Sequence, residues 1–305
     1  MVRNGMISVR NAALLWLLAE YKVPLLFIGP MGGSGKTSLQ NAVAYMLVTR
    51  SMALIMDVAE LFLPHHHIVK PMFERIAYAH GIRSIDKAEL IKQALRSGAD
   101  IIVLNEARSR EEFKALAEAI TLGHGALTTF HAESYEAAKV RLATLGLEAE
   151  ELLKLSVAVE VNMTRDVRYN GRTGVYEVVT RRFVRRINNA SHYLDRIARD
   201  YGADYVGRQL AYREEFLTKA AAAGLDHQQL ASLLYVFYKA PEQVLRGGLG
   251  QTIESASPEP INEANQQIGE LPLPEELFRV DAELNGSGNP NQPFKDGEEE
   301  GGGNA

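Results

Sequence analysis

Four glycines, two serines, a lysine and a threonine crowd into Gly29-Pro-Met-Gly-Gly-Ser-Gly-Lys-Thr-Ser38. Backbone N–H groups can wrap a polyphosphate only where side chains do not intervene, and Gly32, Gly33 and Gly35 leave that space, with Ser34 and Ser38 adding small polar groups. Lys36 is placed to reach the β and γ phosphates of ATP, and the Thr37 hydroxyl to ligate Mg²⁺. The strict pattern G-x-x-x-x-G-K-[ST] asks for glycine at position 30; this chain has Pro30, with Gly29 one residue early. Two registers are open: a one-residue expansion at Gly32-Gly33, or a loop that starts at Pro30. Such a site also needs an acid at the end of a neighbouring strand to hold metal or water. Asp100-Ile-Ile-Val-Leu-Asn-Glu106 supplies a buried apolar run with Glu106 at its C-terminal end, where α/β sheets place their ligands.

Strand–helix units are what must hold these residues in place. Ser8 caps a helix running to about Tyr21, Pro24–Ile28 reads as a buried strand, and the glycine loop feeds a helix reaching Val48. Strands follow at 52–56, 100–104 and 126–130, with helices near 71–79 and 87–96 and at 110–121 and 134–145. This alternation predicts an α/β fold on a mostly parallel sheet. Beyond residue 154 the pattern predicts strands at 157–161 and 167–179, with Asn170-Gly171 as a tight hairpin turn. Residues 191–246 read as helical, Gly224 closing one helix and Pro241 opening the last.

The chain has 305 residues, 46% hydrophobic and 23% charged, and no cysteine, which excludes disulfide scaffolds, zinc ribbons, iron–sulfur clusters and thiol nucleophiles. No apolar run approaches the roughly 18 residues of a membrane span, and the N-terminus lacks the apolar core of a signal peptide, so a cytoplasmic chain is expected. The net charge of −5 conceals an asymmetry: residues 251–305 hold ten Glu and two Asp against Arg279 and Lys295, together with six of the eleven prolines. A mildly basic body therefore carries an acidic tail, expected to be disordered; its apolar island Leu271–Phe278 reads as linker or as a docking segment.

From Asn4 to about Leu142 four ordered boxes resemble the secretion-superfamily ATPases, the motors of type II and type IV secretion, type IV pili and the archaellum. The glycine loop stands for Walker A. Met56-Asp-Val-Ala-Glu60, continuing to Leu-Phe-Leu-Pro-His65, resembles the aspartate box, especially its archaeal form. Leu90–Arg96 through Ile101–Arg108 resembles Walker B, and Thr121–Ser134, containing His124 and His131, follows the histidine box. The resemblance implies a RecA-like P-loop core using ATP and Mg²⁺. It implies Glu60 as the residue orienting the attacking water and Glu106 as the metal-shell acid, with the two able to exchange roles. It further implies His131 as γ-phosphate sensor and His124 as a packing bridge between boxes; Asp57 belongs to the aspartate box, and Arg108 is a candidate transmitter of nucleotide state between subunits. Expected partners are copies of the chain in a ring, a hexamer as in the family, or a mixed ring with a full-length paralogue, on a polytopic membrane platform.

Departures from the pattern are Met56 for the first box glutamate, Asn105 for the Walker B glycine, and Gly98-Ala99 for a usual Arg-Pro. The chain starts where relatives have an interdomain linker, which implies a shortened member, a split gene or a mis-assigned start. The expected organisation is a core at 1–165, a β-hairpin and helical subdomain at 166–248, and a tail at 249–305. Two competing readings are a nonhydrolysing ring subunit and a DNA-transfer motor. The latter leans on Arg181-Arg-Phe-Val-Arg-Arg186, a cluster suited to nucleic acid or anionic lipid but read first as a solvated basic face or a dock for the tail. His65-His66-His67 has ligand residue types, but adjacent side chains poorly face one zinc ion.

Overall fold

Along each short strand the side chains alternate between two apolar layers, so helices are required on both sides of the sheet. The computed structural model describes residues 1–66, 68–76 and 83–247; the acidic tail with its island at 271–278 lies outside them. The sheet strands are β1 (Leu25–Gly29), β2 (Met52–Met56), β3 (Val69–Phe73), β4 (Ile101–Leu104), β5 (Gly125–His131), β6 (Val157–Asn170) and β7 (Val175–Asn188). They lie in the order β3-β2-β4-β5-β1-β6-β7, with every neighbouring pair parallel except β6–β7. β5 is thus inserted between the strand that feeds the glycine loop and the strand that carries Glu106, the layout of a RecA-like P-loop core.

On one face, Leu25, Phe27, Leu54 and Val103 pack against α1 (Val9–Glu20), α2 (Lys36–Tyr45) and the C-terminal helices α7 (Ala190–Tyr201), α8 (Ala203–Ala223), α9 (His227–Lys239) and α10 (Pro241–Arg246). On the other, Leu26, Ile28, Ile55 and Leu104 meet α3 (Lys87–Arg96), α4 (Arg110–Thr121), α5 (Tyr135–Thr144) and α6 (Ala149–Lys154). Helix starts are set by side-chain caps: Ser8, Asp86, Ser109, Ser134 and Asp226 each accept from a backbone N–H of the first turn. Ser109 and Glu112 form a capping box, as do Asp226 and Gln229. Gly224 ends α8 at φ 67°, and Pro241 opens α10.

The helical appendage is bonded to the core through α1. Trp16 packs among Phe216, Phe237 and Tyr238 and donates to the Tyr238 hydroxyl at 2.7 Å. Arg213, fully buried, lies over the Trp16 ring and pairs with buried Glu20, while Gln209 accepts from its Nη1 at 2.6 Å. Among the described residues no helix is long and apolar enough to cross a membrane.

The structure corrects three expectations. The helix expected near 71–79 is in its described part a strand: Val69–Phe73 pairs in parallel with β2, and this tertiary pairing overrides the helix-like spacing of Met72, Phe73 and Ile76. As an edge strand it leaves Lys70 and Pro71 exposed. The strands expected at 157–161 and 167–179 are one continuous antiparallel ribbon, 157–170 with 175–188. Only its first residues pair with β1, so its far end stands out from the sheet with little of the burial that writes an alternating pattern. Its turn is also longer than the two residues expected: Gly174 N donates to Asn170 O, and the left-handed glycine is Gly174, φ 70°, not Gly171.

Candidate functional site

The glycine loop occupies residues 30–35, between the last residue of β1 and the first of α2, with Pro30 at its start and Gly29 still paired with His131 in the sheet. Gly29 is fixed by its neighbours: a Cβ there would sit 2.2 Å from the Val161 carbonyl oxygen, because the β6 backbone passes directly alongside. Gly32, Gly33 and Gly35 all have positive φ, at 75°, 82° and 97°, a region that other residues enter at a cost. The buried Lys36 ammonium folds back on the loop, donating to Pro30 O at 2.8 Å and Ser34 Oγ at 3.3 Å. Burial lowers its pKa, and the charge of Glu106 opposes that.

Loop, strand ends and α2 enclose a cavity of about 450 Å³. Gly32, Gly33, Ser34, Gly35, Lys36, Thr37 and Ser38 line it, and so do Asp57, Glu60, Glu106, Arg108 and His131. Glu106 is the centre of a charge network. Its Oε1 lies 3.0 Å from His131 Nε2 and its Oε2 2.7 Å from Arg108 Nη2. Arg108 Nη1 reaches Asp57 Oδ2 at 3.0 Å, and Asn105 Nδ2 donates to Asp57 Oδ1 at 3.2 Å. Burial works to raise the Glu106 carboxyl, but the Arg108 hydrogen bond and the charges of His131, Arg108 and Lys87 outweigh it and hold it below the ordinary carboxylate value. For Asp57 too, burial is outweighed, by the Lys87 charge, backbone N–H groups and Arg108. His131 is held below its ordinary value by burial and by Lys36, against the pull of Glu106. Its Nε2 donates to Glu106, and its Nδ1 is buried without a hydrogen-bond partner among the described residues.

Glu60 stands exposed at the rim, with no hydrogen bond or ion pair on its carboxylate among the described residues. His124 is absent from the cavity. It precedes β5, at the opposite end of the strand from His131, and its Nδ1 meets Ala99 O at 2.7 Å, tying the turns before β4 and β5 together. Of the three adjacent histidines, His66 packs edge-on to Tyr45 and bonds Tyr45 O at 2.9 Å, the His65 carbonyl faces the Tyr235 hydroxyl, and His67 lies outside the described residues.

Four residues that sequence reasoning missed complete the site. Buried Lys87 donates to the Glu106 carbonyl at 2.8 Å. Thr129 Oγ1 donates to Asn105 O at 2.5 Å, and Gln40, one turn into α2, donates to Leu104 O and Leu127 O at 2.7 and 2.9 Å. Arg182 Nε donates to Gly33 O at 2.6 Å. Only Arg182 left a trace in the sequence, inside the 181–186 cluster; the others act on backbone carbonyls, which no motif spells. The donor set suits a nucleotide with its metal: an open glycine cradle, an ammonium bonded among the described residues to loop oxygens that phosphate oxygens can replace, a hydroxyl at the helix start, and an ionised carboxylate.

The chain is similar in sequence to known proteins. A family described as "Type II/IV secretion system protein" matches residues 2–167. "Uncharacterized protein MJ1287" of Methanocaldococcus jannaschii is 37% identical over 143 residues, 47% of this chain and 52% of that protein. "Putative conjugal transfer protein Rv3659c" of Mycobacterium tuberculosis is 32% identical over 143 residues, 47% of this chain and 40% of that protein. The crystal structure of the VirB11 ATPase from the Brucella suis type IV secretion system is 25% identical, at TM-score 0.41, over 59% of this chain and 50% of that one. The chain spans about half the length of these relatives, or less. With its family match covering more than half of its residues and the glycine loop, Glu106 and His131 gathered in one cavity, the chain belongs to the type II/IV secretion system protein family.

Proposed function

We propose that the chain is an ATP-hydrolysing motor subunit of a type II/IV secretion or type IV pilus-like assembly system. One observation carries this reading: the phosphate loop with Lys36 and Thr37 opens into the same cavity as Glu106, His131, Asp57 and Glu60. Bound Mg²⁺–ATP supplies the transferable phosphoryl group, and the protein's share is positioning and electrostatics. In this reading Lys36 exchanges its loop oxygens for phosphate oxygens, Thr37 and Glu106 hold the metal shell, and Glu60, the one acid of the cavity without a partner among the described residues, orients water. His131 couples the phosphate end of the site to Glu106, and Arg108 links Glu106 to Asp57. The chain would work as a ring, a hexamer or a mixed ring with a longer paralogue, on the cytoplasmic face of a membrane platform, with residues 1–165 as the core and 166–248 as the appended subdomain.

A second reading, a ring subunit that binds nucleotide without hydrolysing it, draws on the engagement of both Glu106 oxygens by Arg108 and His131. Phosphate release by the purified chain, alone and with a candidate platform protein, separates the two. Stimulated release supports the motor; tight binding without release supports the second reading. A mass measurement of the assembly tests the ring.

A further inference from the structure

Arg182 lies on β7, beyond the residues matched by the family, yet it touches the phosphate loop 149 positions earlier in the chain. Its Nε donates to Gly33 O, and its Cδ lies 3.3 Å from the point where a Cβ on Gly35 would stand. The strand that presents it is anchored on both sides. β7 pairs with β6, Met163 standing opposite Arg182, and β6 pairs with β1, the strand that feeds the loop. Two residues on, Val184 N donates to Met6 O at 2.8 Å, and Met6 itself abuts Gly35. The backbone that presents Arg182 is therefore held beside the loop.

Within a trans peptide the C=O and the following N–H point in opposite directions. Holding the Gly33 carbonyl toward Arg182 thus turns the Ser34 N–H away from it and fixes the plane of the one peptide that joins Gly33 to Ser34. Gly32 and Gly33, both at positive φ, have more backbone freedom to lose than any other residue type. A loop restrained beforehand gives up less entropy when it closes on a ligand.

We propose that Arg182 is a positioning residue that pre-orders the Gly33–Ser34 peptide for polyphosphate and makes the β6–β7 ribbon part of the nucleotide site. The proposal rests on the nucleotide reading above. Its consequence is reciprocal: whatever holds or shifts the ribbon changes nucleotide affinity, and nucleotide steadies the ribbon.

The test uses the full chain titrated with ADP and with a nonhydrolysable ATP analogue in Mg²⁺. Arg182→Ala is expected to weaken both by about three- to tenfold, the effect of a charged hydrogen bond reduced by its exposure. Arg182→Lys, which can still donate to the carbonyl, should recover most of the loss. Arg181→Ala, whose side chain leaves the opposite face of the ribbon, should change affinity little. Since the chain has no cysteine, Arg172→Cys in the hairpin turn carries a single spin label, expected to lose mobility on nucleotide addition in the parent but not with Arg182→Ala. Unchanged affinity in Arg182→Ala, or equal losses in Arg181→Ala and Arg182→Ala, overturns the proposal. Lys36→Ala is the control. If it binds nucleotide as the parent does, the nucleotide reading itself fails; if it alone loses binding, only the role of Arg182 fails.

Discussion

His131 and Glu106 meet at 3.0 Å across the ends of two neighbouring strands, and Arg108 takes the other oxygen of the same carboxylate at 2.7 Å. Each partner comes from a different structural constraint. His131 ends β5 and is held there by Arg141, whose Nη1 donates to the His131 carbonyl. Arg108 directly precedes the Ser109 cap of α4, and its own backbone N–H donates to Glu112, the other half of that capping box. The geometry of the acid is therefore a product of where a strand stops and where a helix starts.

The first prediction separates binding from turnover at this acid. Lys36→Ala should abolish tight nucleotide binding. Glu106→Gln, isosteric but uncharged, should retain binding and lower the turnover rate by about 100-fold or more. Parallel titrations and phosphate-release assays check it; equal phosphate release from parent and both variants would remove the enzyme reading.

Gly29→Ala should destabilise the fold by about 3 kcal/mol, since the new Cβ would lie 2.2 Å from a backbone oxygen that cannot rotate away. Chemical denaturation measures this, and a change below about 0.5 kcal/mol would mean that β6 can retreat from β1.

Arg213→Met should cost about 3–5 kcal/mol, because it leaves Glu20 buried and uncompensated against α1. Adding Glu20→Leu removes the orphaned charge and should recover most of the loss. A double-mutant cycle by urea denaturation is the measurement, and two additive losses would show that the pair is not coupled.

Asp100 sets a pH dependence. Burial acts to raise its pKa, but the Lys22 ammonium at 2.8 Å and the Ser51 N–H and hydroxyl outweigh burial and depress it below 3.8. A carboxyl with a depressed folded-state pKa contributes stability above its unfolded value and loses it as pH falls through the folded value. Asp100→Asn should thus be less stable than the parent at pH 7, and the gap should close progressively below about pH 4. Denaturation curves at pH 7, 4 and 3 check the sign.

Legibility in the sequence followed burial. The strands buried on both faces, such as Ile101–Leu104, and the helix capped by Ser8 were readable because apolar runs and cap residues are local signals. Val69–Phe73 was not, since an edge strand carrying proline has neither alternation nor a continuous apolar run and exists only by pairing with β2. The ribbon was misread for a related reason: Val167, Tyr169, Tyr176 and Val178 remain exposed, so the length of the pairing is set by the partner strand and not by a core. At the site, the glycine loop and Glu106 were legible by residue type and position, whereas Asp57, Glu60 and His131 were reached only through the resemblance to the secretion-superfamily ATPases. Lys87, Gln40 and Thr129 were legible by neither route, because each reaches a carbonyl distant in sequence.

Both borders of the sheet carry residues that discourage a further strand. β3 exposes Lys70 and Pro71, and proline offers no N–H to a newcomer. β7 exposes Arg181, Arg182, Arg185 and Arg186, and at Val184 its N–H is already taken by Met6. Charged and proline-bearing edges resist pairing with other chains. Among the described residues both borders are therefore poor templates for an edge-to-edge backbone ladder between copies of the chain.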